Sequence, residues 1–162
     1  MDTKTFNSLI KKEIQQVKSY TTQERSFEDL CEDVTRHLPR ILLIKSFRLL
    51  AARADLIAKD LYPDLYLPQI AEDTLINKAK EYSMNGDRLW NFRNNYKFME
   101  KYPLDNLLGY LRKHCASCMD IIRGYIKPDR KLTIEKFGDV YCYCLLALAI
   151  LAEEEKGESY AD

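Results

Sequence analysis

Residues 133–155 read TIEKFGDVYCYCLLALAILAEEE, and the middle of that stretch decides the fold. From Val140 to Ala152 all thirteen side chains are apolar or aromatic. A helix with no polar face belongs inside a bundle. The run is too short to cross a bilayer, which takes about 20 residues. Thr133 is a natural N-cap and Gly157 a natural stop, with Glu153, Glu154, Glu155 and Lys156 returning the chain to water between them. Asp139, beside Gly138, stands at the mouth of the apolar segment. A carboxylate entering such a segment is costly unless it is paired or metal-bound. Asp139 is therefore the first candidate for a site, with a purely structural ion pair as the alternative.

Working outward, the rest of the chain is also helical in pattern. Phe6, Leu9, Ile10, Ile14, Val17 and Tyr20 share one face of a helix over 3–20. Ser26-x-x-Asp29 resembles a capping box that opens a short helix to about His37. Pro39 opens the next, which runs to about Leu61. Residues 62–68, YPDLYLP, form an extended connector whose aromatics should pack. Helices are expected over 68–82, from Asp87 to about Lys101, and from Pro103 to near Ile126, with an Asn85-Gly86 turn after the first. No strand-like alternation, repeat or low-complexity tract interrupts them. The expectation is an all-α, single-domain bundle of about seven helices around the C-terminal one.

Composition narrows the function classes. The 162 residues carry 25 Lys+Arg against 25 Asp+Glu, so no cationic excess marks a general nucleic-acid binder. DNA binding through Lys45, Arg48 and Arg53 ranks low for the same reason, and that helix also carries a heavy apolar load. The N-terminal segment MDTKTFNSLIKKE has no signal-type apolar core. Five cysteines, an odd number at uneven spacing, fit a reducing cytoplasm better than a disulfide framework. Cys115-x-x-Cys118 and Cys142-x-Cys144 suggest zinc, but residues two apart on a helix point about 200° apart. Buried thiols packing as small hydrophobes are the better reading, and no metal is expected.

Three segments can carry chemistry. On the 103–126 helix, Leu104, Leu108, Leu111, Cys115, Met119, Ile122 and Ile126 form the expected core stripe, while Lys113, Ser117, Asp120 and Gly124 share another face. His114 falls beside the stripe, in line with Leu107, Leu111, Cys118 and Ile121. It is either a core-edge histidine or a ligand contact, and it is the one candidate general acid or base of the set. On the last helix Lys136, Asp139 and Tyr143 lie on one side, and Lys113, His114 or Arg88 could neutralise the acid. Residues 81–95 form a polar turn entering a helix, where Asp87, Arg88 and Asn91 could meet a phosphate, sugar or base edge. Trp90 and Phe92 are either stacking platforms or core.

With these residues laid out, KEYSMNGDRLWNF (80–92), LLGYLRKHCASCMD (107–120) and EKFGDVYCYCLLALAIL (135–151) resemble a family of small phage and prophage proteins, the nucleotide-modification-associated α-helical domain. The resemblance spans about residues 70–155. It implies a helical core over 68–157, an N-terminal helical extension over 1–67 packed on it, and a tail over 158–162. It nominates Asp87, Arg88, Asn91, Phe92, Lys113, His114, Asp120 and Asp139, and implies a role in nucleotide metabolism or DNA modification. Gly138-Asp139 in a closing apolar helix also resembles the MazG-type all-α pyrophosphohydrolases. Those use paired carboxylate motifs for magnesium, whereas here Lys136 stands three before Asp139 and Lys113-His114 stands in place of paired Glu. Magnesium lacks its hard ligands in such a set, although phosphate can still meet the lysines.

Two expectations follow. One is a nucleotide- or phosphate-binding protein, its ligand held by Asp87, Arg88, Asn91, Lys113, His114, Asp120, Lys136 and Asp139, with no cofactor indicated. The other is a non-catalytic interaction module, a phage accessory factor acting on a host protein, whose amphipathic helices in residues 1–60 supply the surface for a partner or a second copy.

Overall fold

The computed structural model describes residues 1–20, 25–36, 38–77, 87–89, 92 and 102–161, the last four without their side chains. These residues form six α-helices and one π-helical turn, and no β-strand is found among them. The helices are α1 (Thr3–Lys18), α2 (Phe27–Val34), α3 (Arg40–Leu61), α4 (Leu67–Glu72), α5 (Pro103–Ile122) and α6 (Arg130–Ala161), with the π turn at Asp73–Asn77. The all-α class holds, and no described helix is long and apolar enough to cross a membrane.

Local chemistry sets several helix starts. Asp2 caps α1 by accepting from the Thr5 amide at 2.8 Å, and Ser26 caps α2 by accepting from Asp29 at 3.1 Å. The start of α6 lies earlier than expected. Asp129, not Thr133, is its cap, with Oδ1 accepting from the Leu132 amide at 2.7 Å. Thr133 sits one turn inside and fully buried, its hydroxyl donating back to the Asp129 carbonyl at 2.8 Å. Gly157 does not end the helix, which continues to Ala161. α5 ends at Ile122 because Gly124 turns the chain at φ +80°, a left-handed conformation that suits glycine. Its place on a polar helical face is thereby corrected. Between Leu67 and Asn77 the expected single helix is instead an α turn passing into a π turn. Residues 78–86, 90–91 and 93–101, where the rest of that helix and the next were expected, lie outside the described residues, as does His37.

α6 is enclosed as its composition demands. Phe137, Val140, Tyr141, Cys144, Leu145, Ala147 and Ala149 are fully buried. Its most extensive neighbour is α3, then α5, with α4 and α1 closing further sides. Both α3 and α6 bury alanines completely, Ala51, Ala54 and Ala58 on one and Ala147 and Ala149 on the other. Such short side chains let helices approach closely. Residues 1–67 therefore belong to the same core as the C-terminal helices. The connector after α3 is tied down as well. Asp55 accepts from the Leu67 amide, the Tyr62 hydroxyl donates to the Pro128 carbonyl, and Arg130 pairs with Asp64.

α5 presents a different face to the core than the expected stripe. Leu107, Leu111, Cys115, Cys118 and Ile121 are buried, whereas Leu104, Leu108 and Met119 are only partly so and Ile122 and Ile126 are exposed. The helix is turned toward the column that contains His114. That rotation brings the histidine to α6.

Candidate functional site

His114 lies between Leu111 and Cys118 on the inward column of α5, and its ring reaches the first buried turns of α6. Its Nδ1 stands 3.3 Å from Asp139 Oδ2. Its ring centroid is 4.9 Å from that of Tyr143, one turn further along α6. Tyr143 in turn stacks on Tyr110 at 6.1 Å and meets Phe92 edge-on at 6.3 Å. Asp139 is less enclosed than expected, its side chain 40% exposed against 19% for His114.

Charge and burial work against each other here. Burial lowers the His114 pKa, opposed by the Asp139 carboxylate and reinforced by Lys136 and Lys113. Burial also raises the Asp139 pKa, with His114 opposing and Glu135 reinforcing the rise. At neutral pH the pair is thus a neutral imidazole facing an ionised carboxylate. An imidazole in that position keeps its proton on the nitrogen beside the acid.

Asp139 and Tyr143 form part of the wall of a cavity of about 410 Å³ between α1, the α4–π segment and α6. Phe6, Ile70, Phe92 and Leu146 supply much of the apolar lining, and Arg88, Glu135 and Asp139 supply charge. His114 is not on that wall. It stands behind Asp139 and Tyr143 and holds them from the α5 side. Gly138 also lines the cavity, and a Cβ there would meet only Ile70, at an ordinary 3.9 Å.

The other nominated residues divide. Arg88 is buried and reaches the cavity, but its guanidinium does not pair with Asp139. It donates to the Leu75 carbonyl and lies 4.4 Å over the Phe6 ring. Burial depresses its pKa, yet an arginine stays charged. Asp87 does not line the cavity; it is bonded at 3.0 Å to both the Leu89 amide and the Met1 ammonium. The same ammonium meets Glu153 at 2.9 Å. Asn91 lies outside the described residues. Lys113 is exposed, and Lys136 lies 3.5 Å from Glu135. Asp120 is not brought to the cavity. It sits at the end of α5, where its carbonyl accepts the Tyr125 and Ile126 amides.

Some contributors carry no chemical signature in sequence. Phe6, Ile70 and Leu75 read as ordinary core residues, and only the packing of α1 and α4 on α6 brings them to the wall. Asn106 is also unannounced: it is buried, its Nδ2 donates to the Phe92 carbonyl, and its Oδ1 has no partner among the described residues. Glu135, expected as a solvated first-turn charge, is exposed and also lines the rim of the cavity, although α6 starts a turn earlier than expected.

Elsewhere, Arg48 is committed to a two-pronged bond with Glu13 at 2.8 and 2.9 Å, which removes it from any basic DNA-binding face. All five cysteines are free thiols. Cys142 lines the cavity, where burial pushes it up to about 12, and Cys144 is fully buried, which raises its thiol well above the ordinary range. Among the described residues no three His, Cys, Asp or Glu side chains gather as a metal-binding set. No family model, curated protein or solved structure matches this chain.

Proposed function

We propose that this protein binds a nucleoside-type ligand in the cavity beside Asp139, with the base or another flat apolar part among Phe6, Phe92 and Tyr143. A mostly apolar pocket with a few convergent polar groups is the usual form of a small-molecule site. The carboxylates on its wall favour a hydrogen-bond donor, such as a sugar hydroxyl or a base N–H, over a bare phosphate. A phosphate on such a ligand would be met outside the cavity by Lys136 and Lys113. This reading rests on the contact between Asp139 and His114, which holds an ionised acceptor at the cavity wall. The resemblance to phage nucleotide-modification-associated helical domains supports a role in nucleotide metabolism or DNA modification. His114 acts through Asp139 as a positioning residue.

The test is calorimetric titration of ribo- and deoxyribonucleosides and their monophosphates, with and without magnesium. A saturable site is expected that Asp139→Asn weakens at least about tenfold, the scale of one hydrogen bond to a charged group. Silence across the series defeats the reading.

A second reading has one observation in its favour. Ile41 is 82% exposed and Leu42 50% at the start of α3, within the segment expected to carry a partner surface. On that reading the protein is an interaction module and Asp139 a structural clamp. Ile41→Glu would then abolish partner capture or self-association in sedimentation, while Asp139→Asn would chiefly cost stability.

A further inference from the structure

On the side of α6 that faces α3 and the last turn of α1, Tyr141 is fully buried and its hydroxyl has no hydrogen-bond partner among the described residues. Tyr141 lines a second cavity of about 290 Å³, separate from the one beside Asp139. A buried hydroxyl left unsatisfied is destabilising, so the group asks for an acceptor. Burial, with the Asp55 carboxylate nearby, raises its pKa well above the ordinary phenol range, and it remains a donor at any working pH.

The same cavity carries two ammonium groups. Lys18, from the end of α1, and Lys59, from α3, lie 5.4 and 4.9 Å from the centroid of the Tyr66 ring. Asp55 also lines the cavity, but its carboxylate is engaged by Lys59 at 3.0 Å and by the Leu67 amide at 3.0 Å. Lys18 has no carboxylate partner among the described residues. The remaining wall is largely apolar, from Val17, Ala52, Leu56 and Pro68. The cavity therefore joins a buried donor, a cation with no carboxylate partner among the described residues, and an apolar lining.

We propose that this cavity is a binding site for a small organic oxyanion, a carboxylate or phosphate on a short apolar body, with Tyr141 donating to the oxyanion and Lys18 and Lys59 supplying positive charge. The apolar body packs on Val17 and Leu56. A ligand of this class satisfies the hydroxyl and neutralises Lys18 together, which a water molecule does not. The site shares no lining residue with the nucleoside cavity and does not depend on it.

The experiment is calorimetric titration of the full chain with phenyl phosphate and with benzoate in phosphate-free buffer. One saturable site for either probe is expected, weakened at least about tenfold by Tyr141→Phe and by Lys18→Met. Asp139→Asn should leave it unchanged. The ligand-free Tyr141→Phe protein should melt no lower than the wild type, because the substitution removes an unsatisfied polar atom without changing the ring. Absence of binding by both probes overturns the proposal, as does unchanged affinity in Tyr141→Phe. Loss of binding in Asp139→Asn overturns it too, since it places the anion in the other cavity.

Discussion

Asp139 illustrates how much of a residue's role depends on its depth. Sequence marks it as the charge entering an apolar helix, and its neighbour His114 is where the reading wanted a cation. The cation is the weakest of the candidates, a neutral imidazole, because burial outweighs the attraction of the acid. Asp139 tolerates this because its side chain keeps 40% of its exposure. Such a half-open pair is worth roughly 0–1 kcal/mol. Asp139→Asn is therefore expected to move unfolding free energy by less than about 1 kcal/mol in denaturant titrations while weakening ligand binding at least about tenfold. A loss of several kcal/mol would mark the acid as a clamp instead. His114 adds a pH signature. Its folded pKa lies below the unfolded value near 6.5, so protons favour the unfolded chain. Its stabilising contribution is present above that value and is lost as pH falls below it and through the lower folded pKa. Between pH values of about 7.5 and 5.5 the wild type should lose stability relative to His114→Asn, by less than about 1 kcal/mol given the partial exposure of the pair. A parallel pH dependence in the two proteins would show that His114 does not titrate in this way.

At the scale of elements, capping chemistry was readable where one candidate stood alone and misleading where two competed. Ser26 is the only good cap before the Phe27 run, and it caps. Asp129 and Thr133 are both good caps one turn apart, and which one serves depends on whether residues 130–132 find a place to be helical. α5 presents a similar choice. It has two apolar columns that share Leu111 and Cys115 and whose centres lie about 60° apart at 3.6 residues per turn. Periodicity favoured the wrong one, because Leu104, Leu108, Met119 and Ile122 are as apolar as the residues that are buried. Only the fit against α6 selects the column with His114. Gly124 is the punctuation that ends α5, with its amide donating to the Ile121 carbonyl at 3.1 Å. Gly124→Ala meets no atom within 4 Å but is held at φ +80°, so a loss of about 1 kcal/mol is expected from backbone strain alone. Chemical denaturation measures it, and a neutral or stabilising result would mean that the turn relaxes.

For the whole molecule, the central question is whether residues 1–67 are an addition to a core or part of it. The resemblance made them an extension, whereas α3 is the helix that α6 touches most. A chain of residues 68–162 leaves the α3-facing side of α6 bare, and it is expected to lack a cooperative thermal transition by circular dichroism. A sharp transition in that fragment would restore the extension. By itself, the sequence determined that the chain is all-α and that α6 is central, since a run of thirteen apolar residues too short for a bilayer can only be buried by other helices. It also marked Asp139 and His114, because a charge and an imidazole stand out against apolar surroundings. The cavities were decided by tertiary structure alone. Their walls are drawn from α1, α3, α4 and α6, and residues such as Phe6, Leu75 and Val17 are indistinguishable from ordinary core until the helices meet. Tyr141 is the clearest case: in sequence it is one more aromatic in a buried helix, and only packing leaves its hydroxyl without a partner among the described residues.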